Sequence, residues 1–356
     1  MKMTFRWFGR DDQIPLQYIK QIPGMTGVVG GIFHIPAGEN WPEADIKALV
    51  EQAKQANLAL EVIESVNVHD DIKLGLPSRD RYIENYKATI RTLSKYGVKV
   101  ICYNFMPIFD WTRSDLAMPL ADHSTVLAYQ RAKIEGIEPI ELIHRIEEGS
   151  KGHVMPGWEP ERLADIAKLF KQYEGMTEEG LFNNLVYFLE QIIPVAKACD
   201  IRMAIHPDDP PWSVFGLPRI VKNEADLDRI IHAVDQPENG LALCSGSLGA
   251  SRSNDLVHIF DKFVAMDRVP FIHIRNVTHN ADGDFHEVAH KDASGTVDIK
   301  GLIEVLSRNH FKGYLRPDHG RMIWGEEGRP GYGLYDRALG AVYLQGIWDA
   351  LEEEQK

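Results

Sequence analysis

Four residues of metal-ligating type stand at the ends of successive apolar runs in the C-terminal half of the chain. They are His206 in AIHP, Cys244 in LALC, His273 in FIHIR and Asp318 in YLRPDHG. Taken singly, each has an ordinary alternative. A lone histidine at a strand end is commonly a hydrogen-bonded structural residue. A lone cysteine in an apolar run is commonly a small hydrophobe, and an aspartate ahead of a helix commonly caps it. One such residue on each of four successive strands is a different pattern, because the carboxyl ends of the strands of a parallel barrel converge on one rim. Two imidazoles, a thiolate and a carboxylate suit a borderline divalent ion such as Mn²⁺, Fe²⁺ or Zn²⁺. The thiolate disfavours Mg²⁺ and Ca²⁺.

Further polar groups flank these four. Side chains alternate along a strand, so Arg275 shares a face with His273, and Arg316 with Asp318. A guanidinium beside a metal can clamp a carboxylate through two parallel hydrogen bonds, which makes Arg275 and Arg316 candidate substrate-binding residues. The alternative for both is a buried ion pair inside the barrel. His319 follows Asp318 directly. Beyond it runs GRMIWGEEGRPGYGLYDRALG, a loop rich in glycine and aromatic residues, with Tyr332 and Tyr335 as candidate acid–base phenols.

The elements that must position these groups alternate between strand and helix. Apolar runs predict strands over 4–8, 28–33, 58–65, 98–104, 201–206, 241–244, 271–275 and 314–318. Between them, Ile46, Leu49, Val50 and Ala53 share a helical face. So do Ile83, Tyr86, Ile90 and Leu93, then Leu185, Phe188, Leu189 and Ile192. The pattern repeats at Leu227, Ile230, Ile231 and Val234, and again at Ile299, Leu302, Ile303 and Leu306. Eight strands in alternation with helices predict an α/β fold of the (β/α)₈ TIM-barrel kind, one catalytic barrel over residues 1–356. A doubly wound open sheet is the alternative, but the GxGxxG expected of its first turn is absent. Residues 105–175 break the rhythm after strand 4. Material inserted there lies on the active face of a barrel and is expected to form a lid or pocket wall. The charged part, 131–152, has a solvated excursion as its alternative.

The chain's 356 residues carry 39 basic and 52 acidic side chains, a formal net charge of −13. No Lys/Arg block breaks that acidic background, which argues against an extended nucleic-acid surface. Small anions need only one or two placed cations and stay open. Three scattered cysteines and no CxxC give no disulfide framework. No apolar run approaches the roughly 18 residues of a membrane span, and the N-terminus lacks a signal-peptide pattern, so a cytoplasmic location is expected. The oligomeric state, a homo-oligomer included, is open at this level.

Several stretches are long enough to resemble a known family. MKMTFRWFG at the start, CSGSLGAS, FIHIRNV followed by DFHE, and LRPDHGRMIWGEE with RPGYGLYDRALG are similar to the mannonate dehydratases over essentially the whole chain. The resemblance implies a xylose-isomerase-like barrel and the dehydration of D-mannonate, a sugar acid, to 2-keto-3-deoxy-D-gluconate in glucuronate breakdown. It also implies Mn²⁺ or Fe²⁺ as cofactor. It puts the metal ligands on His206, Cys244, His273 and Asp318, in agreement with the strand-end reading, and the catalytic positions on His319 and Tyr332. The competing enzyme reading is a metal-dependent sugar isomerase on the same barrel, and such enzymes usually hold their metal mainly with carboxylates. A non-catalytic sugar-acid sensor is the reading from another class, and no output domain is visible for it.

Overall fold

Eight short parallel strands, each with one face of side chains turned inward, close on themselves. They are β1 (Lys2–Arg6), β2 (Gly27–Gly30), β3 (Ala59–Glu64), β4 (Val100–Tyr103), β7 (Arg202–Ile205), β8 (Asn239–Cys244), β9 (Phe271–Ile274) and β12 (Tyr314–Pro317). The structure is a computed structural model that describes residues 1–153, 155, 158, 166–280 and 283–354. β1 pairs in parallel with β12 through Lys2↔Tyr314 and Met3↔Leu315, completing a closed barrel. That pairing rules out the open doubly wound sheet. All eight expected strands are present, but every expected run except that of β8 extends past the observed carboxyl end. The chain leaves the sheet there to turn its polar residues over the rim, so His206, Arg275 and Asp318 lie just beyond their strands.

The lower interior of the barrel is apolar, with Val29, Val62, Val100, Cys102, Ala204, Ala242, Phe271 and Tyr314 packed together. Outside, the predicted helical stripes cover the sheet. Leu185, Phe188, Leu189 and Ile192 of the helix Glu178–Ala198 are fully buried, as are Ile299, Leu302, Ile303 and Leu306 of the helix Ile299–Arg308. Each such side chain contributes about 1.5–3 kcal/mol of burial free energy. Side chains fix where these helices start: Thr177, Asn223, Asp255 and Asp298 each accept a hydrogen bond from a backbone N–H of the first turn.

A second sheet sits beside the barrel and was not expected from the sequence. β5 (Asp115–Pro119) and β6 (Thr125–Tyr129) come from the insertion after β4. β10 (Asn276–His279) and β11 (Phe285–Val288) come from the loop after β9. They join antiparallel in the order β10-β11-β6-β5, with the Phe285 ring stacked on Tyr129 at 5.6 Å. The charged stretch after β6 is not a solvated excursion. It forms helices Arg131–Ile134 and Pro139–Gly149, whose Ile134, Leu142, Ile143 and Ile146 are buried. Part of the expected lid, residues 154, 156–157 and 159–165, lies outside the described residues.

Candidate active site and metal centre

The rim side chains come from the inward phase of the strands. Cys244 of β8 pairs in register with His273 of β9, and His273 with Arg316 of β12, so the three share one line across the sheet. The cavity above is lined by Arg6, Phe33, Glu64, Ser65, Asn67, Asn104, Asp110, Trp111, His206, Asp209, Arg316, Asp318, His319 and Tyr332.

Three of the four expected ligands, His206, Cys244 and His273, place one donor atom each within 4.8 Å of the others. His206 Nε2 lies 3.1 Å from His273 Nδ1. Asp318 is adjacent, its Oδ2 3.6 Å from Cys244 Sγ, but its carboxylate is also held by Arg316 Nη1 at 2.7 Å and Arg275 Nε at 2.9 Å. Donors bound to one first-row ion at ordinary metal–nitrogen, metal–oxygen and metal–sulfur lengths stand roughly 3.0–3.6 Å apart, and the 3.1 Å His206–His273 and 3.6 Å Cys244–Asp318 spacings fall in that range.

The protonation pattern fits as well. His206 Nδ1 donates to the Pro207 carbonyl at 2.7 Å, a tautomer assigned from that partner, which leaves the Nε2 lone pair facing His273. Burial would push the Cys244 thiol up, but the Arg275 guanidinium and the His206 and His273 rings outweigh it and hold the thiol well below its ordinary value. The backbone N–H and hydroxyl of Ser247 also donate to Cys244 Sγ, at 3.4 and 3.1 Å. A thiolate among imidazole lone pairs needs positive charge between the donors, either a proton or a metal ion. Burial lowers His206, yet the neighbouring Cys244 carries it up to about 9, so without a metal the proton sits there. His273 Nε2 is buried with no hydrogen-bond partner among the described residues, 3.4 Å from Glu64 Oε2. A carboxylate behind a ligating histidine is the usual means of orienting one.

A second group is organised for proton transfer. His319 Nδ1 lies 2.6 Å from Glu287 Oε1 and its Nε2 lies 2.8 Å from the Tyr332 hydroxyl. The carboxylate takes the Nδ1–H, so Nε2 accepts the phenol's proton. Gly331, at φ +76°, makes the turn that delivers Tyr332. A Cβ there would fall 2.7 Å from the Leu127 side chain. Burial and the Asp318 charge push Tyr332 well up, so it stays a protonated phenol. Tyr335 points elsewhere, partly exposed with its ring 5.6 Å from Trp324.

Arg275, expected to clamp substrate, takes up the alternative arrangement, a buried ion pair. It does not line the cavity and is fully buried. Its Nη1 binds Glu287 at 2.9 Å, and its Nη2 binds Asp209 at 2.6 Å and Ser247 Oγ at 3.1 Å. Gly246 lets it pack that closely, since a Cβ there would stand 2.5 Å from the Arg275 side chain. Arg113 reinforces the network with two bonds to Asp209 at 2.8 and 3.0 Å and one to Glu287 at 3.2 Å. Arg275 therefore holds Asp318, Glu287 and Asp209 in place. Arg316 does line the cavity, but pairs with Glu64 through two bonds at 3.1 and 2.9 Å as well as with Asp318. Glu64, Glu287, Asp209, Arg113 and Arg6 were all missed by the sequence reading. For Arg6 and Glu64 the signal was present as charges at the inward phase of apolar strands.

The whole chain, residues 1–356, matches the family described as D-mannonate dehydratase (UxuA). A mannonate dehydratase of Geobacillus thermodenitrificans is 62% identical over 100% of this chain and 96% of its own length. One from Thermotoga neapolitana is 54% identical over 99% of this chain and 98% of its own. The crystal structure of mannonate dehydratase from Streptococcus suis serotype 2 superposes with a TM-score of 0.91 at 41% identity, covering 100% of this chain and 96% of that one. A xylose isomerase domain protein from Planctomyces limnophilus, 12% identical over 99% of this chain and 98% of its own, shares the fold at a TM-score of 0.58.

Proposed function

The chain belongs to the D-mannonate dehydratase family of hydro-lyases, and from that premise we propose how its rim removes water from D-mannonate to give 2-keto-3-deoxy-D-gluconate. The convergence of the His206, Cys244 and His273 donors beside Asp318 carries the reading. In this reading the four residues hold one Mn²⁺ or Fe²⁺, ions that accept a mixed nitrogen, oxygen and sulfur donor set. When bound, such an ion supplies Lewis-acid polarisation of substrate oxygens.

Dehydration must remove the weakly acidic C2 proton beside the carboxylate and expel the C3 hydroxyl as water. Tyr332, held protonated by burial, is suited to give a proton to the departing hydroxyl. His319 Nε2, with the imidazole fixed by Glu287 at Nδ1–H, is suited to take the C2 proton and then to pass it to the Tyr332 oxygen along the 2.8 Å hydrogen bond, replacing the proton that Tyr332 gave to the leaving hydroxyl. One linked unit thus moves the C2 proton to the departing C3 oxygen, and the electrons of the broken C2–H bond form the C2=C3 bond of the enol. Asp110 and Trp111 of the inserted segment line the cavity, which supports residues 105–175 as a pocket wall over a single catalytic barrel. Among the described residues no helix is long and apolar enough to cross a membrane, and the acidic charge and free cysteines suit a cytoplasmic enzyme.

The test is a 2-keto acid assay across a panel of aldonates, run beside an aldose–ketose isomerisation assay. Turnover of D-mannonate with no aldose isomerisation is expected. Isomerisation without 2-keto acid would overturn the reading.

A further inference from the structure

Six arginines are among the largest fully buried side chains: Arg6, Arg113, Arg219, Arg275, Arg316 and Arg337. Arg113, Arg275 and Arg316 are each matched to carboxylates at 3.2 Å or less. Arg219 lies 3.9 Å from Asp208 and donates to the Phe109 carbonyl. Arg337 donates to three backbone carbonyls and does not line the cavity. Arg6 differs from all of these. It ends β1 on the rim, lines the cavity beside Tyr332, and among the described residues has no carboxylate within ion-pair distance. Among the described residues its side chain donates one hydrogen bond, from Nη1 to the Val29 carbonyl at 3.2 Å. Phe8 and Phe33 flank the guanidinium, with ring centroids 4.7 and 5.4 Å away. Glu64, the nearest acid in charge terms, is already bound twice by Arg316.

A buried charge without a counter-ion is costly, and at Arg6, which lines the cavity, an anionic ligand can supply the missing counter-ion. The aromatic flanks hold the guanidinium plane in place, so the fork loses little freedom on binding a planar anion.

We propose that Arg6 is the residue that binds the carboxylate of the sugar acid, in the role expected of Arg275 from the sequence. The inference rests on the dehydratase reading of the site. It also serves the chemistry, because taking the C2 proton drives negative charge onto the carboxylate oxygens. A fixed guanidinium on those oxygens is worth more in the transition state than in the ground state.

The test compares two probes, D-mannonate and its neutral amide D-mannonamide. Each is titrated by calorimetry into metal-stripped and metal-loaded protein. In Arg6→Gln, D-mannonate affinity is expected to fall about 10- to 100-fold, the scale of a charge-assisted pair. Mannonamide affinity and metal content should stay within about twofold. Arg6→Lys keeps the charge without the fork and should lose about tenfold, which decides the matter if the glutamine variant does not fold. Unchanged preference for mannonate over the amide in either variant, or equal loss of both probes, would overturn the proposal. Wild-type protein that fails to turn over D-mannonate would instead sink the dehydratase reading, so the two failures are distinguishable.

Discussion

Tyr332→Phe removes one hydroxyl and leaves the ring. The ring keeps its edge-on packing against Phe8 at 4.9 Å and His319 at 4.7 Å, and the backbone carbonyl keeps the Arg337 guanidinium. What goes is the 2.8 Å hydrogen bond to His319 Nε2, which leaves that buried nitrogen without its partner. An unsatisfied buried group costs about 1–3 kcal/mol, so the fold should survive with a modestly lower Tm. The metal ligands are untouched, and metal content should not change. The catalytic loss should be larger, about 10²–10⁴-fold in kcat, as for loss of a general acid, or about 3–5 kcal/mol of barrier. Steady-state 2-keto acid formation, metal analysis and a thermal melt on the same preparation separate these effects. Tyr335→Phe is the control, because that ring is partly exposed and sits on Trp324. Near-normal kcat in Tyr332→Phe, or a greater loss in Tyr335→Phe, would refute the reasoning.

Cys244 should resist alkylation in metal-loaded protein and react once metal is stripped, whereas buried Cys102, whose thiol is pushed well up chiefly by burial, should stay inert in both; metal-independent labelling of Cys244 would exclude it as a ligand. Arg275→Met should cost about 3–5 kcal/mol of stability by leaving Asp209 and Glu287 under-compensated, read by denaturant unfolding, and a well-folded variant with only a raised KM would return Arg275 to the substrate. Because the metal-free His206 is raised to about 9, a metal must displace its proton; affinity for Mn²⁺ should rise with pH up to about 9, and titrations in buffers of different ionisation heats should show proton release.

Strand number, barrel class and the four donor types were legible because each lies within a few neighbouring residues: an apolar run, then a ligand type at its end. The strand-end pattern extends to the earlier strands. Read through TFRWF and LEVIES it would have exposed Arg6 and Glu64, inward charges on β1 and β3. Glu287 was out of reach. It lies on a four-residue strand, opposite Val277 of β10 and joined along its other edge to β6, more than 150 residues away in sequence, and so short a strand carries no periodic signal. The role of Arg275 depended on the same missing sheet. Alternation correctly placed it on the His273 side, but nothing local showed that Asp209 and Glu287 would occupy its guanidinium before any substrate could.

The central claim is that one transition ion held by the His206, Cys244, His273 and Asp318 cluster enables dehydration. The most direct measurement is 2-keto acid formation from D-mannonate during titration of metal-stripped protein with Mn²⁺. Activity should be absent at the start, rise in proportion to metal and level off at one ion per chain, with Mg²⁺ a poor substitute. Full turnover by protein shown by analysis to be metal-free would contradict the account.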